Sequence, residues 1–280
     1  MPALNFLLAV WPRGWEYLWR AYKWPVMRGR SGAASVTQMN AFWHWAGLGR
    51  VKNRSSGHVG GGRAANRLAR QALRPNRPGA YHNAAHNWHV MLMAALLGRA
   101  AGLGSVRLWL LCVAAMAHDG GYQPRQASRR GVNESRAAAL ASRILFRRGA
   151  RGQWHRQLTA LIMATSYPQT SAYDGASGDQ CLAPLLRDAD LFASHAGPKS
   201  VRVTLASRVK AETGSKMPAS ALLQQFSACS HLTTTLAQAL AKRVTKPGAK
   251  LGSKPQKMPV RRCKSGIGLA AKVNDFAPNR

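Results

Sequence analysis

Apolar residues are spread through the first 240 positions, in several segments at helical spacing, and the strict two-residue alternation of a half-buried strand is rare. Between Asn83 and Gly102, the positions Val90, Met91, Leu92, Leu96 and Leu97 predict a helix that ends at glycine. Val106 to Ala117 is apolar almost throughout, which predicts a second helix, deeply buried. A third is expected to start where Asn133 can cap and Glu134 suits the N-terminal dipole, and to run through Ala137, Leu140, Ile144 and Leu145 to Gly149. Trp154 to Thr165 and Leu182 to Ala196 complete a set of five. Beyond them, Val201 to Lys210 and Ala219 to Val244 read as two more helices, the latter on the mixed three and four spacings of Leu222, Leu223, Phe226, Leu232, Leu236 and Leu240. The predicted fold is all-α.

The ends have a different character. Trp11, Trp15, Trp19 and Tyr22 repeat at helical spacing with Arg13, Arg20 and Lys23 between them, which predicts an aromatic-faced basic helix. Packing onto the core is its simplest use, with anionic membrane or nucleic acid as the other contacts such a face can make. From Arg28 to Gly62 the chain is rich in Gly, Ser and Arg and reads as a flexible connection, in which His44 and His58 have no metal-like neighbours. Lys242 to Lys264 carries nine basic residues, three prolines and no acid, the composition of a disordered tail. The expected organisation is therefore a basic, Trp-rich extension and linker over 1–76, a helical core over 77–197, additional helices over 198–244 and a basic tail over 245–280.

Charge narrows the choice of partners. With 41 Lys and Arg against 9 Asp and Glu, the formal charge is +32. Self-repulsion on that scale favours a polyanionic partner, nucleic acid first and anionic membrane next, and the same field would draw in a phosphorylated small substrate. A merely solvated basic surface is the bland alternative. Cys112, Cys181, Cys229 and Cys263 are scattered without CxxC pairing, so neither a zinc ribbon nor a disulfide framework is suggested. No apolar stretch reaches the length of a membrane span, and the Met1 to Trp11 run lacks the basic flank and cleavage site of a secretory signal. A cytoplasmic protein is expected.

The acids are few but not scattered. Six of the nine, Asp119, Glu134, Asp174, Asp179, Asp188 and Asp190, lie between positions 119 and 190, near His82, His86 and His118. Divalent metals take oxygen and imidazole ligands, so this concentration is what a cation site needs. His82 and His86 stand four apart and share a helix face if the helix starts early enough; His89 follows three later. The pair His118-Asp119 closes an apolar helix at Gly120-Gly121, which delivers two ligands to the mouth of a cleft or else forms a structural hydrogen bond.

Tyr81-His82-Asn83-Ala84-Ala85-His86, Ala117-His118-Asp119-Gly120-Gly121-Tyr122, Asn133-Glu134-Ser135 and Asp188-Ala189-Asp190-Leu191 resemble, in order, the successive motifs of the HD phosphohydrolase superfamily. The first is similar to the YHNxxH element of cyclic-nucleotide phosphodiesterases, and the rest look closer to bacterial predicted HD phosphohydrolases. The resemblance covers roughly 78–195.

It implies an HD-domain-like helical bundle, here with basic N- and C-terminal extensions, and a divalent metal (Zn, Mn, Mg, Fe or Ni, as one or two ions) held by His86, His118, Asp119 and Asp190. Asp119 would be able to bridge to a second ion. His82 would stand just outside as a proton donor, and Asn83 and Glu134 behind the ligands. Alternatives stay open: His82 can simply bond a carboxylate, Asp188 can replace Asp190 as ligand, and His89, His155 and His195 read as structural or surface residues. Arg125, Arg129 and Arg130, in the loop after HDGGY, are candidates to hold phosphate, although solvated surface is the simpler reading of any single one. Tyr122 stands where the phosphodiesterases place another histidine, and their purine-recognising glutamine pocket has no counterpart, so cyclic-nucleotide specificity is not implied. The expected function is metal-dependent hydrolysis of a phosphoester or phosphodiester in a nucleotide or related small molecule. The rival is a nucleic-acid-binding protein, or a metal-dependent nuclease, that uses the basic surface on the same scaffold; a membrane-peripheral adaptor ranks last.

Overall fold

The computed structural model describes residues 81–126, 131–146, 152–166, 182–197 and 199–245, together with Trp43, Ala46, Leu48 and Arg129. The expected aromatic N-terminal helix, His44, His58, Arg130, Asp174, Asp179 and the tail beyond 245 lie outside these residues, as does the side chain of Arg125. Among the described residues there are eight α-helices and no strand: α1 (Ala84–Ala100), α2 (Ser105–Ala117), α3 (Val132–Phe146), α4 (Gly152–Met163), α5 (Leu182–Ala196), α6 (Lys199–Thr213), α7 (Ala219–Cys229) and α8 (Thr235–Thr245). The all-α expectation holds, and no helix among them is long and apolar enough to cross a membrane.

The centre is α2. Ten consecutive residues from Leu108 to Ala117 are buried, as its uninterrupted apolar sequence requires, because α1, α4 and α5 pack around it. Close approach to α1 is possible because Gly98 faces α2: a Cβ there would sit 2.7 Å from Leu108 Cδ1. The Asn83 carboxamide oxygen accepts the His86 backbone N–H at 3.1 Å, capping α1 and fixing where His86 enters the helix. Asn83 thus acts on His86 through the backbone. The strip α5 packs along both α1 and α2, so the Asp188-Ala189-Asp190 segment comes to lie beside the end of α2. Next, α6 packs on α5, α7 on α6, and α8 returns to α5.

Three expectations need correction. The helix expected over Ala219–Val244 is two, broken between Cys229 and Thr235. Asp188 makes the break: its carboxylate accepts the backbone N–H groups of Thr233 and Thr234, both at 2.7 Å, and both threonine hydroxyls as well. Apolar periodicity carries no sign of a capping group supplied from 45 residues away. Asn133 does not cap α3, which already begins at Val132; it accepts the Gln123 N–H at 3.0 Å and donates to the Gln123 carbonyl at 3.2 Å, pinning the loop that follows HDGGY. Finally, Trp43, Ala46 and Leu48, in the stretch read as a flexible connection, are buried in the main core, so that stretch supplies packing as well as length.

Candidate metal centre

Four side chains from three elements meet beside the C-terminal end of α2. His86 comes from the first turn of α1, His118 caps α2, Asp119 follows it, and Asp190 sits mid-way along α5. A tight turn sets the His118-Asp119 pair: Gly120 N–H reaches the Ala117 carbonyl at 2.8 Å, Tyr122 N–H reaches the Asp119 carbonyl at 3.1 Å, and Gly121 takes a φ of +76° that other residues resist. His86 Nε2 lies 3.2 Å from Asp119 Oδ2 and 3.1 Å from Asp190 Oδ1; His118 Nε2 lies 3.0 and 3.5 Å from the same two oxygens. One ligand atom each from His86, His118 and Asp119 falls within a 4.8 Å span.

The donor set passes a test of fit. His118 Nδ1 is 2.7 Å from the Ala115 carbonyl, which can only accept, so Nδ1 carries the proton and Nε2 of the neutral ring presents its lone pair to the carboxylates. His86 Nε2, His118 Nε2 and Asp119 Oδ2 are all buried without a hydrogen-bond partner, although they face one another at close range. Lone pairs and anionic oxygens in that arrangement repel unless a cation or protons lie between them. Burial alone would depress both imidazoles, yet Asp119 and Asp190 hold His86 above its ordinary value and His118 well above it. Burial would likewise raise the carboxyls, but His118 foremost holds Asp119 well below the usual carboxylate range and Asp190 below it too. Two imidazoles and two carboxylates are what a transition-metal dication takes up.

His82 stands apart from this group. The shared helix face required an early helix start, but α1 begins at Ala84, leaving His82 outside it with its ring 5.9 Å from that of His86. Its Nδ1 lies 2.5 Å from Glu212 Oε1, its backbone N–H donates to Glu212 Oε2 at 3.1 Å, and its ring stacks on Tyr122 at 3.7 Å. Glu212 belongs to α6, and its side chain is only 2 % exposed. Burial pushes the Glu212 carboxyl up, but the bond to His82 holds it below its ordinary value. Sequence reasoning missed Glu212; at 130 residues from His82, no local spacing connects the two.

The other candidates sort clearly. Asp188 is engaged by Thr233 and Thr234 and lies apart from the group that Asp190 joins. Glu134 lines the cavity; burial raises its carboxyl above the ordinary value, with Asp119 and Asp190 adding to the rise. His89 is fully buried, and burial lowers it to about 3, which keeps it neutral. His195 bonds the Ser230 hydroxyl at 3.0 Å, a tie between α5 and the segment after α7. Of the three loop arginines, Arg129 lines the cavity and also reaches Gln126 at 3.4 Å. That cavity, of about 370 Å³, is lined by His82, His118, Asp119 and Asp190 among others.

No protein-family profile, curated protein or solved structure matches this chain.

All five acids among the described residues turn inward: Asp119, Asp190, Glu134 and Glu212 at or behind the cavity and Asp188 in its cap. Arg136, Arg143, Arg156, Lys199, Lys216 and Lys242 are exposed. The negative charge is concentrated where a cation would sit, and these six positive charges face solvent, whereas Arg187 is buried and Arg129 and Arg202 line the cavity.

Proposed function

We propose that the chain is a metal-dependent phosphohydrolase of the HD type, acting on a phosphoester or phosphodiester of a nucleotide or related small molecule in the cytoplasm. The observation that carries this reading is the convergence of the unpartnered atoms His86 Nε2, His118 Nε2 and Asp119 Oδ2 with Asp190 Oδ1. These residues would hold one ion, or two with Asp119 shared; Mn, Fe, Zn or Ni suit the mixed donors better than Mg does. A divalent ion supplies Lewis-acid polarisation of a phosphoryl oxygen and a nucleophile at neutral pH. His82 gives its proton to the departing oxygen, while Glu212 fixes the ring through Nδ1. Tyr122 keeps the imidazole flat against the wall. The test is metal analysis of protein purified without added ions, followed by a panel of phosphomonoesters, phosphodiesters and nucleotides with each ion restored. Bound metal and ion-dependent turnover are expected; protein that takes up no divalent ion and turns over nothing sinks the reading.

The segregation of charge favours a second reading, in which the exposed lysines and arginines bind nucleic acid and the cluster is a nuclease centre or part of a scaffold. Binding to single- and double-stranded oligonucleotides that weakens steeply with salt, without metal-dependent turnover of any small phosphoester, would favour it.

A further inference from the structure

The wall of the cavity that faces the metal cluster is built by α6 and α7, which carry none of the four motifs. On α6 the lining residues Arg202, Leu205, Ala206, Val209 and Thr213 follow helical spacing and form one stripe. The stripe has two unlike ends. At the C-terminal end Glu212 holds His82 beside the cluster. Arg202 lies ten residues earlier, about 15 Å along the helix axis, and its side chain leans further toward the N-terminus. Its Nε is buried without a hydrogen-bond partner. From α7, Leu222, Leu223 and Phe226 add apolar surface, with the Gln225 carboxamide among them.

On the phosphohydrolase reading of the cluster, we propose that α6 and α7 select the substrate. Arg202 recognises a hydrogen-bond acceptor at the far end of a flat, largely apolar organic group whose phosphate sits at His86, His118, Asp119 and Asp190. Three features of the ligand follow. A volume of about 370 Å³ is at the small end of ligand sites and holds one nucleotide-sized molecule. The leucines and Phe226 favour a planar apolar body over a sugar chain. A guanidinium offers a planar fork of donors that suits a carboxylate or a base carbonyl.

The probes are a matched pair of hydrolysis-resistant ligands, biphenyl-4-yl phosphonate and its 4′-carboxylate, titrated calorimetrically into the Mn-loaded full chain. The carboxylate should bind about tenfold tighter or more, since a site built around a donor discriminates against a ligand lacking its acceptor. Arg202→Met should bind both ligands alike. Arg202→Lys keeps the stem and charge without the fork, should lose several-fold of the preference, and decides the matter if the Met variant does not fold. Equal binding by the natural protein, a preference that survives Arg202→Met or is unchanged in Arg202→Lys, or equal weakening of both ligands by Arg202→Met overturns the assignment. The corresponding phosphates, assayed for turnover, separate the two levels. Preference without turnover refutes the phosphohydrolase reading and leaves the selecting wall; turnover without preference does the reverse; neither binding nor turnover refutes both.

Discussion

The two walls of the cavity are built on opposite principles. On one, each candidate ligand sits on or directly after a helix packed into the core, and His86 and His118 are each 2 % exposed. On the other, α6 and α7 are half-buried helices that give the cavity mainly aliphatic surface, one guanidinium and, through Glu212, a clamp on His82. Ligand geometry tolerates only small displacements, so it belongs on rigid elements, whereas a recognition surface tolerates variation and belongs at the periphery. His82 joins the two, since its backbone leads into α1 and its ring is held from α6.

The largest expected effects break the first wall. Asp119→Ala removes an oxygen that approaches both imidazoles, and should abolish metal uptake and with it all turnover. Asp190→Ala should do the same, whereas Asp188→Ala, two positions away on α5, should not. Asp188 carries four hydrogen bonds from Thr233 and Thr234, so its loss should cost about 2–4 kcal/mol of stability while the folded protein still binds metal. Denaturant unfolding and metal analysis on the three variants check this contrast. Metal loss in Asp188→Ala at full stability would reverse the two roles.

That contrast also marks what the sequence can reveal. His86, His118, Asp119 and Asp190 are legible because each lies in a short motif on a periodic helix, and the structure brings them together. The helices are legible where apolar period alone decides them, as over Leu182–Ala196, whose bounds match the expectation. What was not legible depends on contacts between distant segments. The break before α8 is imposed by Asp188, and the burial of Trp43, Ala46 and Leu48 depends on a core built from later helices. Glu212 sits on an otherwise basic helix, and its only signal was the scarcity of acids in the chain.

The joint between the walls is probed by His82 and Glu212. His82→Ala should keep the metal and slow esters with poor alkoxide leaving groups by roughly a hundred-fold, sparing nitrophenolate esters that leave without a proton. Glu212→Gln keeps a hydrogen-bond acceptor but removes the charge, and should show the same leaving-group dependence on a smaller scale, about tenfold. Equal slowing of both ester classes by His82→Ala would instead make it a positioning residue.

The smallest effect is on the pH dependence of stability, and it tests whether protons and metal compete for one site. His86 and His118 are raised above 6.5 in the ion-free fold, so their contribution is complete below that value and is lost as pH rises through the raised values. Asp119 and Asp190 are lowered from 3.8, so theirs is present above that value and is lost as pH falls through the depressed values. The metal-free protein should therefore be most stable in mildly acid solution and lose a few degrees of melting temperature between about pH 6 and 9. Added Mn should reverse the trend, because a cation displaces the protons and its affinity grows as they leave. In Asp119→Ala the metal should have no such effect, since the ligand set is broken. A metal-free melting temperature that stays flat or rises across that range would mean that the four side chains are not electrostatically linked, and the cluster would then lose its claim to be a cation site.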